Sequence, residues 1–195
     1  MSRSASGYHH GDLRRALVAA GVTLLDEQPP GRISLREVAR EAGVSHAAPY
    51  HHFGDRGDLL KAVGDECMRD FLDRQESAVA AENDPAARLV ALGEAYVAYA
   101  ADRPHAFALI FDPELCPPGD ASPERAPLIA RNEELLAECV VAWLEGRGEA
   151  LTDAASLAAA LWGTVHGLAG LVSEGHLARD QVMPALQALV GDRGR

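Results

Sequence analysis

The sequence has few of the features that mark a catalytic, metal-binding or disulfide-stabilised protein. Its three cysteines, Cys67, Cys116 and Cys139, lie far apart and show no metal-type spacing, which indicates buried thiols in a reducing compartment. No nucleophile elbow, phosphate loop, HExxH motif or paired-carboxylate constellation is present, so no motif supports an enzyme. We therefore predict no cofactor and no metal.

Strand-like alternation and internal repeats are also absent, and apolar residues recur at helical spacing along the chain. These patterns predict an all-α protein of nine helices. The first fifteen residues, MSRSASGYHHGDLRR, have no apolar core, so we expect no secretory signal and a cytoplasmic protein. Residues 154–173 contain no Asp, Glu, Lys or Arg, but their Ala- and Gly-rich composition and flanking Asp153 and Glu174 favour a buried helix over a membrane span.

The net charge of −11 is distributed unevenly. Residues 1–60 contain seven Arg against seven Asp or Glu, whereas residues 61–195 contain eleven Lys or Arg against twenty-two acids. The first segment also holds five of the eight histidines. Phosphate binding depends on where cations stand locally, so a neutral, arginine-bearing head on an acidic body is compatible with binding to nucleic acid.

Residues 34–53, SLREVAREAGVSHAAPYHHF, carry the most informative pattern, that of a helix-turn-helix motif. Ser34 and Glu37 stand at the spacing of a capping box, and an apolar stripe follows them. Gly43 stands where the chain must leave the first helix with positive φ. Ser45 is expected to cap a second short helix that ends near Phe53. Such a pair of helices places its second member in the DNA major groove, although an ordinary αα-corner is the alternative.

The remaining helices are predicted from their caps and prolines. A helix from Asp12 ends at the Pro29-Pro30 pair, and Asp55 caps a long helix over residues 56–81. Asp84-Pro85 begins a helix to Asp102, Pro104 begins a short one, and the proline-rich residues 112–127 form a loop. Three further helices are predicted. The first covers residues 127–145, the second begins after a cap at Thr152, and the third covers residues 181–190. The expected core of the head is Leu13, Leu17, Leu35, Val38, Val44, Tyr50 and Phe53.

A capped first helix, the motif AGVS…YHHF and a long helix that begins DRGDLL together resemble the TetR/AcrR family of transcriptional regulators. The segment LWGTVHGLAGL, with Trp162, His166 and Gly167, resembles the Trp-His-Gly class of C-terminal domains in that family. The resemblance implies a helix-turn-helix domain over residues 8–70, with its motif at 34–53, and a ligand-binding and dimerisation domain over residues 71–195. It also implies a homodimer on a double-stranded, palindromic DNA operator, released by a small-molecule effector.

Three sets of site residues are predicted on this basis. The predicted DNA contacts, at the motif and the start of the long helix, are Ser34, Ser45, His46, Ala47, Tyr50, His51, His52 and Arg56. The predicted ligand contacts, the aromatic and polar residues of the body, are Tyr96, Tyr99, Phe107, Phe111, Trp143, Trp162 and His166. The predicted dimer contacts, on the last two helices, are Leu157, Leu161, Gly163, Gly167, Leu168, Leu186 and Leu189.

Several alternatives stay open at this point. The body aromatics can equally fill a core, His52 can equally pack inward, and Tyr8, His9 and His10 can reach DNA or form a tail. A metal sensor would use His9, His10, His51 and His52, a redox sensor would use a cysteine, and a helical enzyme is a further alternative. Ala48 and Pro49 replace the Thr and Leu that the family often has, so the operator sequence does not follow from the resemblance.

Overall fold

The computed structural model describes residues 10–117 and 119–191, with side chains from residue 12 onward. These residues form α-helices joined by short turns, and no strand occurs among them. In chain order, the helices are α1 (His10–Glu27), α2 (Leu35–Glu41), α3 (Arg56–Ala80), α4 (Pro85–Asp102), α5 (Pro104–Ile110), α6 (Ala126–Gly146), α7 (Ala154–Ser173) and α8 (Val182–Val190).

The head consists of α1, α2 and the first turns of α3. Its core contains Leu17, Ile33, Val38 and Phe53, all of which are almost fully buried. The predicted capping box at α2 is confirmed, since Ser34 accepts from the Glu37 amide while the Glu37 carboxylate accepts from the Ser34 amide. Asp55 caps α3 in the same way by accepting from the Asp58 amide.

The second element of the motif differs from the prediction. Residues Ala48–His51 form a short 3₁₀ helix that follows Ala47, so Ser45 does not cap it and the described chain has eight α-helices rather than nine. Pro49 supplies the reason, because it has no amide to donate and its ring crowds the preceding carbonyls. The amides of Ala48, Tyr50 and His52 each bond the carbonyl three residues back.

The prediction that Tyr50 lies in the core of the head is also wrong. Its side chain is 57% exposed, whereas its neighbours Ala48 and Pro49 are buried. In a 3₁₀ helix of four residues only one narrow face can turn inward, and here the small Ala48 and the Pro49 ring occupy it.

The body is a bundle in which α4 lies at the centre and packs against α3, α6, α7 and α8. Gly93 of α4 permits the close approach of the last two helices. A Cβ at this position would stand 3.0 Å from Leu186 of α8 and 3.2 Å from Val165 of α7. Helix α7 follows a short 3₁₀ turn over Leu151–Asp153, and Asp153 precedes it without a side-chain cap, so the predicted Thr152 cap is wrong.

Helix α3 passes from the head into the body and is buried in both. Leu59, Leu60 and Val63 lie in the head, while Phe71 lies among the body aromatics. The Phe71 ring makes edge contacts with Tyr96, Tyr99, Phe107 and Phe111 at centroid separations of 5.0–6.4 Å. Such contacts add to the stabilisation from apolar burial.

Helix α7 is apolar yet largely uncovered in the single chain. The span Leu151–Ser173 is long and apolar enough to cross a membrane by length and composition, and 11% of its most apolar window is buried. Among the predicted dimer contacts, Leu161 and Leu186 are buried inside the subunit, and Leu157 and Leu168 pack partly against its core. These leucines face inward because α4 lies beneath α7 and α8. Gly163, Gly167 and Leu189 remain exposed.

We predict that Phe71→Ala lowers the free energy of unfolding by about 3–5 kcal/mol, because the substitution leaves a cavity at the centre of the aromatic cluster. Tyr50→Ala removes an aromatic ring of similar size from an exposed position and is expected to change the free energy by less than about 0.5 kcal/mol. Chemical denaturation followed by circular dichroism measures both. Equal losses for the two variants would contradict the assigned role of Phe71.

Candidate nucleic-acid interface and body cavity

The turn between the two elements of the motif is built around Gly43. Its φ is +67°, as predicted, and the following Val44 amide donates to the Ala39 carbonyl at 2.9 Å. This bond satisfies one of the carbonyls at the end of α2, and the turn directs the chain sharply into the 3₁₀ helix. The turn therefore sets the angle at which residues 45–51 are presented.

The predicted reading residues form one accessible surface. Ser45, His46, Ala47, Tyr50 and His51 are all exposed. These side chains offer a hydroxyl, two imidazoles, a methyl and a phenol, which are groups that contact base edges and phosphates. His52 is half-buried and lies behind this surface.

Two of the predicted phosphate contacts are also engaged inside the head. The Ser34 hydroxyl lies 2.8 Å from the Glu37 carboxylate as part of the capping box. Arg56 donates from Nε to the Ile33 carbonyl at 2.7 Å and from Nη2 to the Pro30 carbonyl. Arg56 therefore braces the turn before α2 against the start of α3, and its remaining donors are the ones left for phosphate.

Sequence reasoning missed Arg36, which is exposed on the first turn of α2 beside Ser34. Among the residues that the structure describes, its guanidinium has no hydrogen bond or ion pair. A cation at the positive end of a helix is a suitable phosphate contact, and its signal in the sequence is its position at the start of the motif. Tyr8 and His9, predicted to approach DNA, lie outside the described residues.

The body contains a cavity of about 720 Å³ between α3, the end of α5, the 112–125 loop, α6 and α7. Phe111 and Trp162, two of the predicted ligand contacts, line it. Its other apolar walls include Met68, Ile129 and Leu136. A cavity of this size with mostly apolar walls is suited to a small organic molecule.

Three other predicted ligand contacts, Tyr96, Phe107 and His166, lie together beside this cavity. Tyr96, Phe107 and His166 join Phe111 in one cluster, with centroid separations of 4.9–6.3 Å, and a hydrogen bond of 2.8 Å joins the Tyr96 hydroxyl to His166 Nδ1. Tyr96 and Trp162 also line a smaller cavity of about 40 Å³ beside Leu189. Burial raises the pKa of Tyr96, opposed by a hydrogen bond with the Trp162 side chain, so the phenol stays protonated at neutral pH.

The structure places the two remaining aromatics away from both of these cavities. Tyr99 is 1% exposed and donates its hydroxyl to the Cys67 carbonyl, so it ties α4 to α3. Trp143 lies on α6 under the Arg147 guanidinium, 5.2 Å from its ring centroid. Helical spacing alone did not distinguish these positions from cavity walls, because it does not show which neighbour covers a given face.

Arg125, which sequence reasoning also missed, lies in the wall of the 720 Å³ cavity. It precedes α6 at the end of a proline-rich loop, where no periodicity predicts burial. Its side chain is only 4% exposed and forms an ion pair of 2.8 Å with Asp65 of α3. Cys116 lies in the same wall, and burial raises the pKa of its thiol.

A third cavity, of about 520 Å³, is polar and lies between α1 and α3, where Arg14, Arg15 and Arg69 alternate with carboxylates. Within residues 12–117 and 119–191, no group of three or more His, Cys, Asp or Glu side chains is placed to hold a metal ion. The His9 and His10 side chains of the metal-sensor alternative lie outside those ranges.

Comparison with family models matches residues 17–63 to "Bacterial regulatory proteins, tetR family" and residues 89–191 to "Tetracyclin repressor-like, C-terminal domain". The second match alone covers more than half of the chain. The chain belongs to the TetR family. It is thus a transcriptional regulator by family, and the TetR family is one of DNA-binding proteins rather than enzymes. The assignment to the Trp-His-Gly class stays a prediction.

Curated relatives with a named function match part of the chain. The HTH-type transcriptional regulator BetI of Rhizobium meliloti (strain 1021) is 34% identical over 79 residues. That match covers 40% of this chain, and the chain spans about two fifths of the length of such curated relatives.

Two solved structures extend the comparison to nearly the whole fold. A protein with unknown function from Rhodococcus sp. RHA1 is 33% identical with a TM-score of 0.79, covering 95% of this chain and 96% of that one. AibR in complex with isovaleryl coenzyme A and operator DNA is 21% identical with a TM-score of 0.62, covering 92% of this chain and 96% of that one. At that identity, the likeness to AibR shows a shared TetR fold only.

We predict that His46→Ala lowers discrimination between a specific and a scrambled duplex by about tenfold, because a histidine that contacts a base edge is worth roughly 1–3 kcal/mol of selectivity. Arg36→Ala is expected to weaken both duplexes equally, as a phosphate contact would. Fluorescence anisotropy at several salt concentrations measures both effects. His176→Ala, which removes an exposed histidine of the body, is the control. Equal losses on both duplexes for His46→Ala would remove it from the reading role.

Proposed function

We propose that this TetR-family protein is a ligand-responsive repressor, which binds a palindromic operator as a homodimer and leaves it when a small apolar molecule fills the 720 Å³ cavity. The observation that carries the proposal is the placement of α3. Arg56, at its start, braces the turn that precedes α2 in the head, while Lys61, Asp65 and Met68 of the same helix line the cavity. The two sites therefore share one rigid element.

The DNA-binding part of the proposal is supported by the exposure of residues 45–47, 50 and 51. A single short element reads only a few base pairs, so specific binding requires two of them. In a two-fold symmetric dimer the reading elements must stand about 34–36 Å apart, or a multiple of it, to enter successive major grooves. The operator is then a palindrome.

The homodimer is supported by the uncovered face of α7. A Cβ built at Gly163, Gly167 or Gly170 meets nothing within 4 Å in the single chain, and Trp162, Leu171 and Leu189 are exposed beside them. A charge-free helix with this much exposed apolar area is typical of an interface. We assign the interface to the exposed Gly163 and Gly167 with Leu171 and Leu189, and not to the buried Leu161 and Leu186.

Release by an effector is supported by the cavity. Its volume of about 720 Å³ falls within the range of roughly 300–1,000 Å³ that is usual for small-molecule sites. The TetR-fold protein AibR has been crystallised with isovaleryl coenzyme A and operator DNA. By analogy, a molecule between α3, α6 and α7 would shift the angle of α3 and change the separation of the two reading elements.

Release of the operator requires only a small coupling free energy between the cavity and the DNA-binding surface. A coupling of about 1–3 kcal/mol between two sites changes DNA affinity by roughly 5- to 150-fold. We place the protein in the cytoplasm, where its operator lies, and we assign the apolar α7 to the subunit interface rather than to a membrane.

Selection of binding sequences from a random duplex library tests the DNA-binding proposal directly. We expect enrichment of an inverted repeat whose half-sites lie one helical turn, or a multiple, apart, because the symmetric dimer requires it. A Tyr50→Ala, His51→Ala variant, altered only at exposed positions, serves as the control and should enrich nothing. Recovery of an asymmetric sequence, or of none with the wild type, would contradict the proposal.

We predict that Gly167→Leu raises the dimer dissociation constant at least tenfold. A Cβ at this position meets nothing within 4 Å in the subunit, and leucine favours a helix more than glycine does, so the variant should fold. Its bulk then acts only on the second subunit. Analytical ultracentrifugation measures the constant, and Ala80→Leu, at an exposed position at the end of α3, is the matched control. An unchanged dimer in Gly167→Leu would exclude this face.

A further inference from the structure

Helix α5 connects the body cavity to the head by a route that does not follow α3. It is seven residues long, which is about 10 Å at the usual rise of an α-helix. Ile110 and Phe111, at its carboxyl end, line the 720 Å³ cavity. The helix also packs beside α1 and beside the 3₁₀ turn Pro30–Arg32, which precedes α2. The cavity wall is therefore one short helix away from the head.

Arg103 fastens the amino end of α5 to the head and to α3 at the same time. Its Nε and Nη2 donate to Asp26 Oδ1 of α1 at 3.1 and 3.0 Å, and its Nη1 donates to Asp70 Oδ2 of α3 at 2.8 Å. The Arg103 side chain is 14% exposed. Because all three guanidinium nitrogens are engaged, the planar group is held in one orientation, which a single ion pair would not achieve.

His105 adds a second bond to the head, two residues further along the chain. Its Nδ1 lies 3.0 Å from the Leu25 carbonyl, which can only accept, so this bond requires a proton on Nδ1. Leu25 and Asp26 are neighbours in the last turn of α1, and Leu25 is buried in the same apolar cluster as Ala106 of α5. The bonds of Arg103 and His105 thus fall on adjacent residues of the head.

These bonds constrain a movement that α3 constrains least. An attachment through a single helix offers little resistance to rotation about the axis of that helix. A second attachment away from the axis opposes this rotation, and here it acts on α1, against which α2 packs. In the proposed dimer, the angle of each head decides whether the two reading elements match successive major grooves.

We infer that Arg103 and His105 are positioning residues, which link the angle of the head to the state of the cavity through α5. The inference rests on the proposed function, since it names a second connection between the proposed effector cavity and the DNA-binding surface. A molecule that displaces Ile110 or Phe111 would shift α5, and with it the bonds to α1. Neither Arg103 nor His105 lines the cavity, so their role is transmission and not contact with the effector.

Binding of DNA tests this connection without any effector, because the coupling between two sites is reciprocal. Trp162 lines the cavity and is 49% exposed, and Trp143 is the only other tryptophan. The Trp162 ring lies 6.2 Å from the His166 ring, which lies 5.1 Å from the Phe111 ring, so Trp162 is linked to the end of α5. In a Trp143→Phe background, acrylamide quenching reports on the cavity wall. We expect saturation with the inverted repeat recovered from the duplex library to change the quenching constant of Trp162.

The variants separate transmission from a general structural role. Arg103→Gln, Asp26→Asn and His105→Ala should each lose most of the DNA-induced change, while Arg103→Lys, which keeps the charge, should retain more of it. The variants should fold, because partly exposed ion pairs contribute little to stability. Arg179→Gln is the matched control. Arg179 pairs with Asp102, the residue before Arg103, but joins α4 to the segment before α8, within the body.

The outcomes distinguish this inference from the proposed function. Each variant is measured with saturating duplex, as followed by fluorescence anisotropy. An unchanged response in Arg103→Gln and Asp26→Asn would overturn the inference and leave α3 as the connection, and Asp26→Asn alone decides if Arg103→Gln does not fold. An equal loss in Arg179→Gln would also overturn it, since the effect would not depend on contact with the head. No response of Trp162 in the parent protein would contradict the coupling in the proposed function itself.

Discussion

The packing of α3 against both halves of the molecule is the constraint on which the rest of this structure depends. Its first turns are buried with α1 and α2, and Cys67, Met68 and Phe71 are buried beside α4 and α5. Its 25 residues form one continuous α-helix, so a rigid-body movement of this helix would displace both ends together. In the proposed regulator, α3 would therefore couple the cavity to the helix-turn-helix motif without a flexible linker.

Ion pairs also join α3 to other segments of the chain. Arg103, at the junction of α4 and α5, is bonded to both Asp26 of α1 and Asp70 of α3, while Arg125 reaches Asp65. The two Arg103 pairs contribute little to stability where their carboxylates are exposed to solvent. The Arg125 pair is different, since its arginine is buried and would be left as an uncompensated charge if Asp65 moved away. The cavity is thus attached to α3 at a point where small movements are energetically significant.

Helix α7 has an apolar face that no other part of the described subunit covers. Its inward leucines are covered by α4, but its glycines and the neighbouring apolar side chains have no covering in the subunit. The same glycines that weaken an isolated helix permit a second backbone to approach closely. The composition of α7 is therefore best explained by a contact outside the chain.

Local interactions were predictable from the sequence because they depend on residues a few positions apart. The capping box of Ser34 and Glu37, the positive φ of Gly43 and the bounds of most helices follow from spacing and caps, and the structure confirms them. Pro49 has a larger effect than its position in the sequence predicts, since the element around it is a 3₁₀ helix and not an α-helix.

Only the tertiary structure decided which side chains face a cavity, a neighbour or water. Helical spacing placed Tyr50 in the core and made Tyr99 and Trp143 ligand contacts, whereas the fold exposes the first, buries the second and places the third beside Arg147. It also brought Arg125 from a proline-rich loop to Asp65, sixty residues away in the chain. The sequence by itself determined the helices and the reading motif, because caps and periodicity act locally. The cavity and the buried pair of Arg125 with Asp65 arise from contacts between distant segments, which no local pattern encodes.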